Sequence, residues 1–275
     1  MTLETINNLS VSELLAQHLI MNIKPQATFA IIGKGFIFPK HKEAIEQNGG
    51  KILDIIDGQD WWGNMIEKTK AEWIVILTPN HTHKQIIDVA LKNGKKVICE
   101  KPLTLSVKDT KELIGKPVYT IHQLRYLPIL VDGDSPARRP NDIKFNISVH
   151  RGENYFNSWK GSEYASGGLL FNLGIHYFDL VIHYFGEPTE WKLTKYANER
   201  AEGYFSKENY RCDFILDLLA PEDKQERSFT INNMSYDLNT KENLHIRVYQ
   251  DILAGNGLKP EEALKSIKLI EQLRK

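Results

Sequence analysis

Apolar residues in the first half of the chain fall into short, nearly unbroken runs, at Thr28–Ile32, Lys51–Asp57, Trp73–Leu77, Lys96–Cys99 and Pro117–Ile121. Runs this short and this continuous predict strands buried on both faces, as in a parallel sheet sandwiched by helices. Between them, Pro39–Asn48 and Lys84–Asn93 have helical character, Gly94 stops the second, and Ser106 caps a short helix to about Ile114. Strand, turn and helix in alternation predict an α/β, Rossmann-type domain over residues 1–121, with an appended amphipathic helix at Val11–Met21. One interval breaks the rhythm. Only 15 residues, Gly58 to Glu72, separate the second strand from the third, too few for both a helix and a further strand. The expectation is a trimmed sheet without the usual third strand, its edge covered by Trp61 and Trp62.

After residue 121 the pattern changes to alternation. Asp132–Asn141 is a polar loop rich in Gly, Pro and Arg, and strands are expected at Ile143–His150, Trp191–Tyr196, Tyr210–Leu218, Arg227–Ile231 and Met234–Leu238. Asn232-Asn233 joins the last two in a tight hairpin. Helices close the chain at Leu244–Leu253 and Pro260–Arg274. Residues 122–275 therefore read as a second, α+β domain with an open, mainly antiparallel sheet.

The segment from Gly167 to Gly186 predicts one helix with a mixed surface. Asn172, His176, Asp179 and His183 are spaced by four, three and four, so they share one face, while Leu169, Leu170, Leu173, Ile175, Leu180 and Val181 surround it. Such a helix carries a polar stripe into a buried place.

Composition narrows the setting. Lys plus Arg and Asp plus Glu both number 35, so no net field favours nucleic acid or an anionic membrane surface. The 2 cysteines, Cys99 and Cys212, are too few for a disulfide framework. No apolar run approaches the roughly 20 residues that span a bilayer, and the first residues lack a signal core. A soluble cytoplasmic protein is expected.

Candidate chemistry begins at Gly33-Lys34-Gly35. Glycines there allow a tight turn and let backbone N–H groups approach a pyrophosphate at the start of the next helix. Asp57, 22 positions after Gly35 at the end of the second strand, would accept hydrogen bonds from a ribose diol and repel a 2′-phosphate, which favours NAD over NADP. Phe38 occupies the third small-residue position of that fingerprint. Glu100-Lys101-Pro102 ends the fourth strand, where ligands of open α/β sheets collect. A cis bond at Pro102 is allowed.

Glu100-Lys101-Pro102, Gly167-Gly168 and Asn172-x-Gly174-x-His176-x-x-Asp179 together resemble the glucose-fructose oxidoreductase/inositol dehydrogenase (Gfo/Idh/MocA-type) family of NAD(P)-dependent enzymes. Phe36-Ile37-x-Pro39-Lys40-His41, Gln123-Leu124-Arg125 and Ser158-Trp159-Lys160-Gly161 are similar to its bacterial UDP-N-acetyl-2-amino-2-deoxyglucuronate 3-dehydrogenase branch. The resemblance implies that Lys101 and His176 face the substrate as the catalytic pair, with the base assignable to either. It implies NAD contacts from Gly33, Gly35, Phe36, Ile37, Asp57, Thr78, Pro79, Asn80, His83 and Glu100. A UDP-linked sugar substrate needs cations and neutral partners, for which Arg125, Lys160, Tyr155, Asn157, Asn172 and Asp179 are the candidates. Many relatives carry aspartate where Asn172 stands; asparagine hydrogen-bonds a hydroxyl but takes no proton from it. A homodimer or homotetramer is implied, joined through the open sheet. The implied reaction is NAD-dependent oxidation of a UDP-N-acetylhexosaminuronate at its 3-hydroxyl, supplying surface polysaccharide synthesis.

Three other readings stand beside it. A dehydrogenase of a different sugar or cyclitol would use the same pair, and a redox-silent nucleotide or sugar binder would suit the trimmed sheet. A metal site on His176, Asp179 and His183 is disfavoured, since the two histidines lie roughly 10 Å apart along a helix, and no metal is expected.

Overall fold

The computed structural model describes residues 26–57, 61–127 and 141–275. The segment Val11–Met21 and the loop from Asp132 to Pro140 lie outside them.

The first sheet contains β1 (Thr28–Ile32), β2 (Lys51–Ile56), β3 (Trp73–Ile76), β4 (Lys96–Cys99) and β5 (Val118–Thr120), in the order β2-β1-β3-β4-β5. Every neighbouring pair is parallel. The continuous apolar strands β1, β3 and β4 occupy the middle, where both faces are covered, and β2, whose residues alternate in exposure, forms an edge. β2 is an edge because only α2 (Trp62–Lys68) fits between it and β3. α1 (Phe38–Gln47) and α3 (His83–Lys92) pack against the sheet.

The expected shielding of that edge is incomplete. Trp62 packs on the core, but Trp61 is 70% exposed and stacks on its neighbour at 5.4 Å. A groove of about 610 Å³ remains between β2 and α2, bordered by Leu53, Ile56, Trp61 and Met65.

The second sheet runs β11 (Met234–Ser235), β10 (Glu226–Ile231), β6 (Asn141–Ser148), β9 (Tyr210–Asp217), β8 (Arg200–Lys207), β7 (Glu190–Tyr196). β6 and β9 are parallel and all other pairs antiparallel. The hairpin between β10 and β11 turns through Asn232 and Asn233, both with positive φ (51° and 66°), as a type I′ turn requires. β8 carries little sequence signal because its inward positions are Ala201, Gly203 and Phe205. Gly203 is needed there: a Cβ would lie 2.3 Å from the carbonyl oxygen of Lys192 on β7.

The segment expected as one helix is helical without interruption from residue 168 to 185, with a π-turn inside it and a short separate helix before it. α6 (Glu163–Ser166) ends on Gly167 in the left-handed region, a π-turn covers Leu170–Gly174, and α7 (Ile175–Phe185) follows. α7 lies on the inner face of the second sheet, where Phe178 meets Phe145 and Phe214 at ring separations of 5.9 and 5.1 Å. The 23-residue stretch Glu163–Phe185 has the length and composition of a membrane span, but 78% of its most apolar window is buried inside the protein. It is a core helix.

Two later helices tie the sheets together. α8 (His245–Leu253) returns to the first sheet, where Val248, Tyr249 and Ile252 share a core with Phe29, Ile45 and Val75. α9 (Pro260–Leu273) packs between α7 and the short helix α4 (Val107–Lys111).

Candidate active site

Lys101 follows β4 directly and crosses to the second sheet's helix, where its Nζ donates to the carbonyl oxygen of Asn172 at 2.8 Å. Asn172 lies inside the π-turn, a distortion that takes main-chain groups off the regular α ladder and recurs at functional sites. The Lys101-Pro102 peptide is cis. Burial depresses the Lys101 ammonium to a pKa of about 8; the Glu100 carboxylate opposes this and the Lys160 cation adds to it.

His176 begins the first turn of α7, one turn beyond Asn172. Its Nδ1 is enclosed without a hydrogen-bond partner. Burial, then the positive charges of Lys101 and His122, hold the imidazole well below its ordinary pKa, against the opposing pull of Glu100 and Asp179. The ring is therefore neutral at physiological pH. A half-buried ammonium and a neutral imidazole thus share one wall: one can donate a proton, the other accept one.

Behind this wall lies a buried ion pair. Arg125 donates from Nε and NH2 to both Asp179 oxygens at 2.7 Å, and His122 Nδ1 stands 3.2 Å from Asp179 Oδ2. Burial alone would raise the Asp179 carboxyl, but His122 and Arg125 outweigh it and the group stays ionised. Arg125 and Asp179, both named as substrate candidates, are thus bound to each other: Asp179 is only 1% exposed, and the pair fastens the end of β5 to α7, as a cap on the domain contact would. His183 is exposed beside Tyr184.

Other cations remain uncommitted. Lys160 lies over Trp159, with the Arg151 guanidinium 5.7 Å from the Tyr155 ring. Burial, and then Arg151, lower the Lys160 pKa. Neither forms an ion pair with a carboxylate among the described residues. Tyr155 accepts a hydrogen bond from Asn172 Nδ2 at 2.6 Å, so its phenol and the Asn172 amide are coupled. Asn157 is exposed at the end of α5 (Glu153–Phe156). Lys101, Lys160 and Arg151 form a row of positive charge that sequence reading extended only to Lys160. The signal for Arg151 was its place just beyond a predicted strand.

At the carboxyl end of β1, on the same edge of the parallel sheet as Lys101, Gly33 adopts φ 101°, and a Cβ there would come 2.8 Å from the carbonyl oxygen of Leu77. The turn thus lies against the end of β3. It is open at Gly35, where an added methyl group would meet nothing within 4 Å, and at Phe36, which is 89% exposed. Ile37 precedes α1, and Phe38 sits in the core at the position of the missing third glycine. Lys34 N–H donates to Asp57 at 3.2 Å, joining the turn to the end of β2. A turn with no room for a side chain at its first glycine, beside an acidic strand end, fits a dinucleotide.

Besides Thr78 and Pro79, three expected cofactor contacts are bonded within the protein. His83 is fully buried, with Nδ1 2.7 Å from the Pro102 carbonyl oxygen and Nε2 3.0 Å from that of Thr78. Asn80 donates to the Ser166 carbonyl at 2.7 Å and so docks the loop on α6. Thr78 bonds the Thr82 hydroxyl at 2.7 Å, and Pro79 accepts from the same Thr82. These residues build the loop, leaving its backbone edge to a ligand.

Glu100 is the third. His41 Nε2 lies 2.8 Å and His245 Nε2 3.4 Å from its Oε1, and His41 Nδ1 reaches the Tyr249 hydroxyl at 2.8 Å. Burial would raise the carboxyl, yet the two histidines hold it well below the usual range. The ligand atoms of His41, Glu100 and His245 lie within 4.8 Å of one another, a set that a divalent ion would fit. Hydrogen bonding accounts for two of the three: His41 donates from Nε2 to Glu100 and accepts from Tyr249, while His245 Nε2 is enclosed without a hydrogen-bond partner. Tyr249 is 208 positions from His41 in the chain, so no local pattern encodes this cluster.

The chain matches the family model for the oxidoreductase family with an NAD-binding Rossmann fold over residues 55–116, and that for the family's C-terminal alpha/beta domain over residues 139–226. Its fold is similar to that of the WlbA (WbpB) dehydrogenase from Thermus thermophilus in complex with NAD and UDP-GlcNAcA, at TM-score 0.79 and 27% identity, covering 91% of this chain and 95% of that one. It is also similar to the Bacillus subtilis protein YteT (27% identical over 48% of this chain) and the 2,7-anhydro-N-acetylneuraminate hydratase of Escherichia coli (29% identical over 46%). The matched region spans 34% and 37% of the length of those two curated relatives.

Proposed function

The chain belongs to the Gfo/Idh/MocA oxidoreductase family, and from that premise we propose that it is an NAD-dependent dehydrogenase oxidising the 3-hydroxyl of a UDP-N-acetylhexosaminuronate. The observation that supports this reading is the reach of Lys101 from the first sheet to the helix that bears His176, where its Nζ donates to the Asn172 carbonyl one turn before the histidine. NAD, bound along the Gly33 turn, would accept hydride from the carbinol carbon. His176 Nε2 takes the hydroxyl proton, for which its neutral ring is suited. The Lys101 ammonium stabilises the oxygen as it gains negative charge. Hydride and proton leave together, so a 3-oxo sugar, NADH and a proton are the products.

The anionic part of the substrate is supported by Lys160 and Arg151, two cations without a carboxylate partner among the described residues. Tyr155 and Asn172 supply neutral hydrogen bonds beside the reacting carbon. A role in surface polysaccharide synthesis, a cytoplasmic site of action and a homo-oligomer joined through the open face of the second sheet complete the proposal.

The test is NADH formation with UDP-N-acetylglucosaminuronate against the free sugar acid and inositol. Reduction only with the UDP-linked sugar is expected. No reduction with any of them, despite bound NAD, would overturn the reading, and turnover of the free sugar or cyclitol would reassign the substrate. Lys101→Ala and His176→Ala should each lower kcat by about 100-fold or more while NAD titrations remain unchanged.

A further inference from the structure

The wall that carries His176 has a second layer whose chemistry the reaction above does not use. His122 follows β5, is 2% exposed, and its ring centroid lies 6.2 Å from that of His176 with the planes at 74°. Both rings hold enclosed nitrogens without a hydrogen-bond partner, Nδ1 of His176 among them. A buried polar atom left unpaired costs about 1–3 kcal/mol, so its partner is a matter of chemistry as well as packing.

The charged and titratable groups that face His176 are Lys101 and Glu100 from the end of β4, His122 from beyond β5, and Asp179 on its own helix. Lys101 donates its hydrogen bond to the Asn172 carbonyl. Glu100 is engaged by His41 and by the Lys101 backbone N–H, and Asp179 by Arg125 and His122. Both ring nitrogens of His122 are enclosed without a hydrogen-bond partner, and with the proton on Nδ1, 3.2 Å from Asp179, its Nε2 is an acceptor.

We infer that His122 is a positioning residue for His176: anchored on the Asp179–Arg125 pair, it holds the His176 proton on Nδ1 and so leaves Nε2 bare toward the substrate. At a centroid separation of 6.2 Å the ring nitrogens are beyond direct hydrogen-bond reach, and a single bridging water would link them. When Nε2 takes the hydroxyl proton, the ionised Asp179 stabilises the imidazolium through His122, as a carboxylate behind a catalytic histidine does elsewhere. Asn172 gives this arrangement its purpose: with no carboxylate one turn before His176, the orienting charge comes from the layer behind.

This inference rests on the dehydrogenase reading for its purpose, but its test needs neither substrate nor cofactor. Long-range proton–nitrogen correlation spectra of the histidine-labelled protein report each ring's tautomer, with His176→Gln assigning the signal. A neutral Nδ1–H tautomer for His176 in the wild type is expected, changing to a mixture or to Nε2–H in His122→Phe. An Nε2–H ring in the wild type overturns the inference, even if His122→Phe fails to fold. So does a tautomer unchanged in a folded His122→Phe. In turnover, His122→Phe should lower kcat about 10–100-fold at unchanged KM for NAD, with partial rescue in His122→Gln, whose amide restores an acceptor. Equal losses in both variants would overturn the role.

Discussion

Lys101 is the residue whose ionisation decides most. With a pKa of about 8 it is charged at neutral pH and loses its proton within an accessible range. If the ammonium stabilises the oxygen and neutral His176 is the base, kcat/KM falls as pH rises through about 8. The opposite limb, rising through the same pH, would make Lys101 the base. Lys101→Arg, whose guanidinium stays charged, should abolish the limb at reduced rate. The same shift has a stability consequence. The folded pKa lies below the unfolded value of about 10.4, so the unfolded chain binds more protons between them and stability rises with pH across that window. The penalty is therefore full below the folded pKa. Lys101→Met should melt above the wild type at pH 7, with the difference shrinking toward pH 10, as thermal denaturation at the two pH values will report.

At the scale of elements, the break between α6 and α7 shapes the site. Gly167 ends α6 with φ 79°, and a Cβ there would meet Leu105 Cδ2 at 2.5 Å and Phe171 Cβ at 2.8 Å. Gly167→Ala should cost about 2–4 kcal/mol from left-handed strain and overpacking together, measured by urea denaturation. Because the π-turn follows within a few residues, the Asn172 carbonyl should shift as well, and turnover should fall beyond what lost stability explains. A helical repeat predicts Asn172, His176 and Asp179 on one face, but it does not predict the π-turn. The widening inserts no telltale residue and is set by what packs around Leu170–Gly174. β8 escaped for a related reason: Gly203 serves the close approach of β7, and its own propensity opposes a strand.

For the whole molecule, the Arg125–Asp179 pair is the polar fastening between the two sheets. Its side chains are 11% and 2% exposed. Asp179→Asn should cost about 3 kcal/mol, because the buried guanidinium loses its bidentate partner and keeps only Glu262, 3.6 Å away and half exposed. Arg125→Met with Asp179→Leu should recover much of that loss, since removing both charges removes the desolvation penalty of each. Denaturant titration of the single and double variants gives the coupling. α8 adds an apolar fastening, returning from beyond the second sheet to complete the core around Phe29 and Tyr249.

The order of the strands and helices other than β8, the trimmed sheet and the glycine turn beside Asp57 were legible in the chain, because each rests on local spacing or on the length of an interval. What the side chains do with one another was not. Arg125 and Asp179 looked like ligands for a substrate and are partners of each other; His83, Asn80 and Glu100 looked open to a cofactor and are bonded within the protein. His122, Arg151 and His245 acquire their meaning only from neighbours far away in sequence. A sequence sets which groups are present and in which local conformation, by steric rules that act over a few residues. Which donor meets which acceptor depends on desolvation and distance between elements, and only the tertiary structure fixes those.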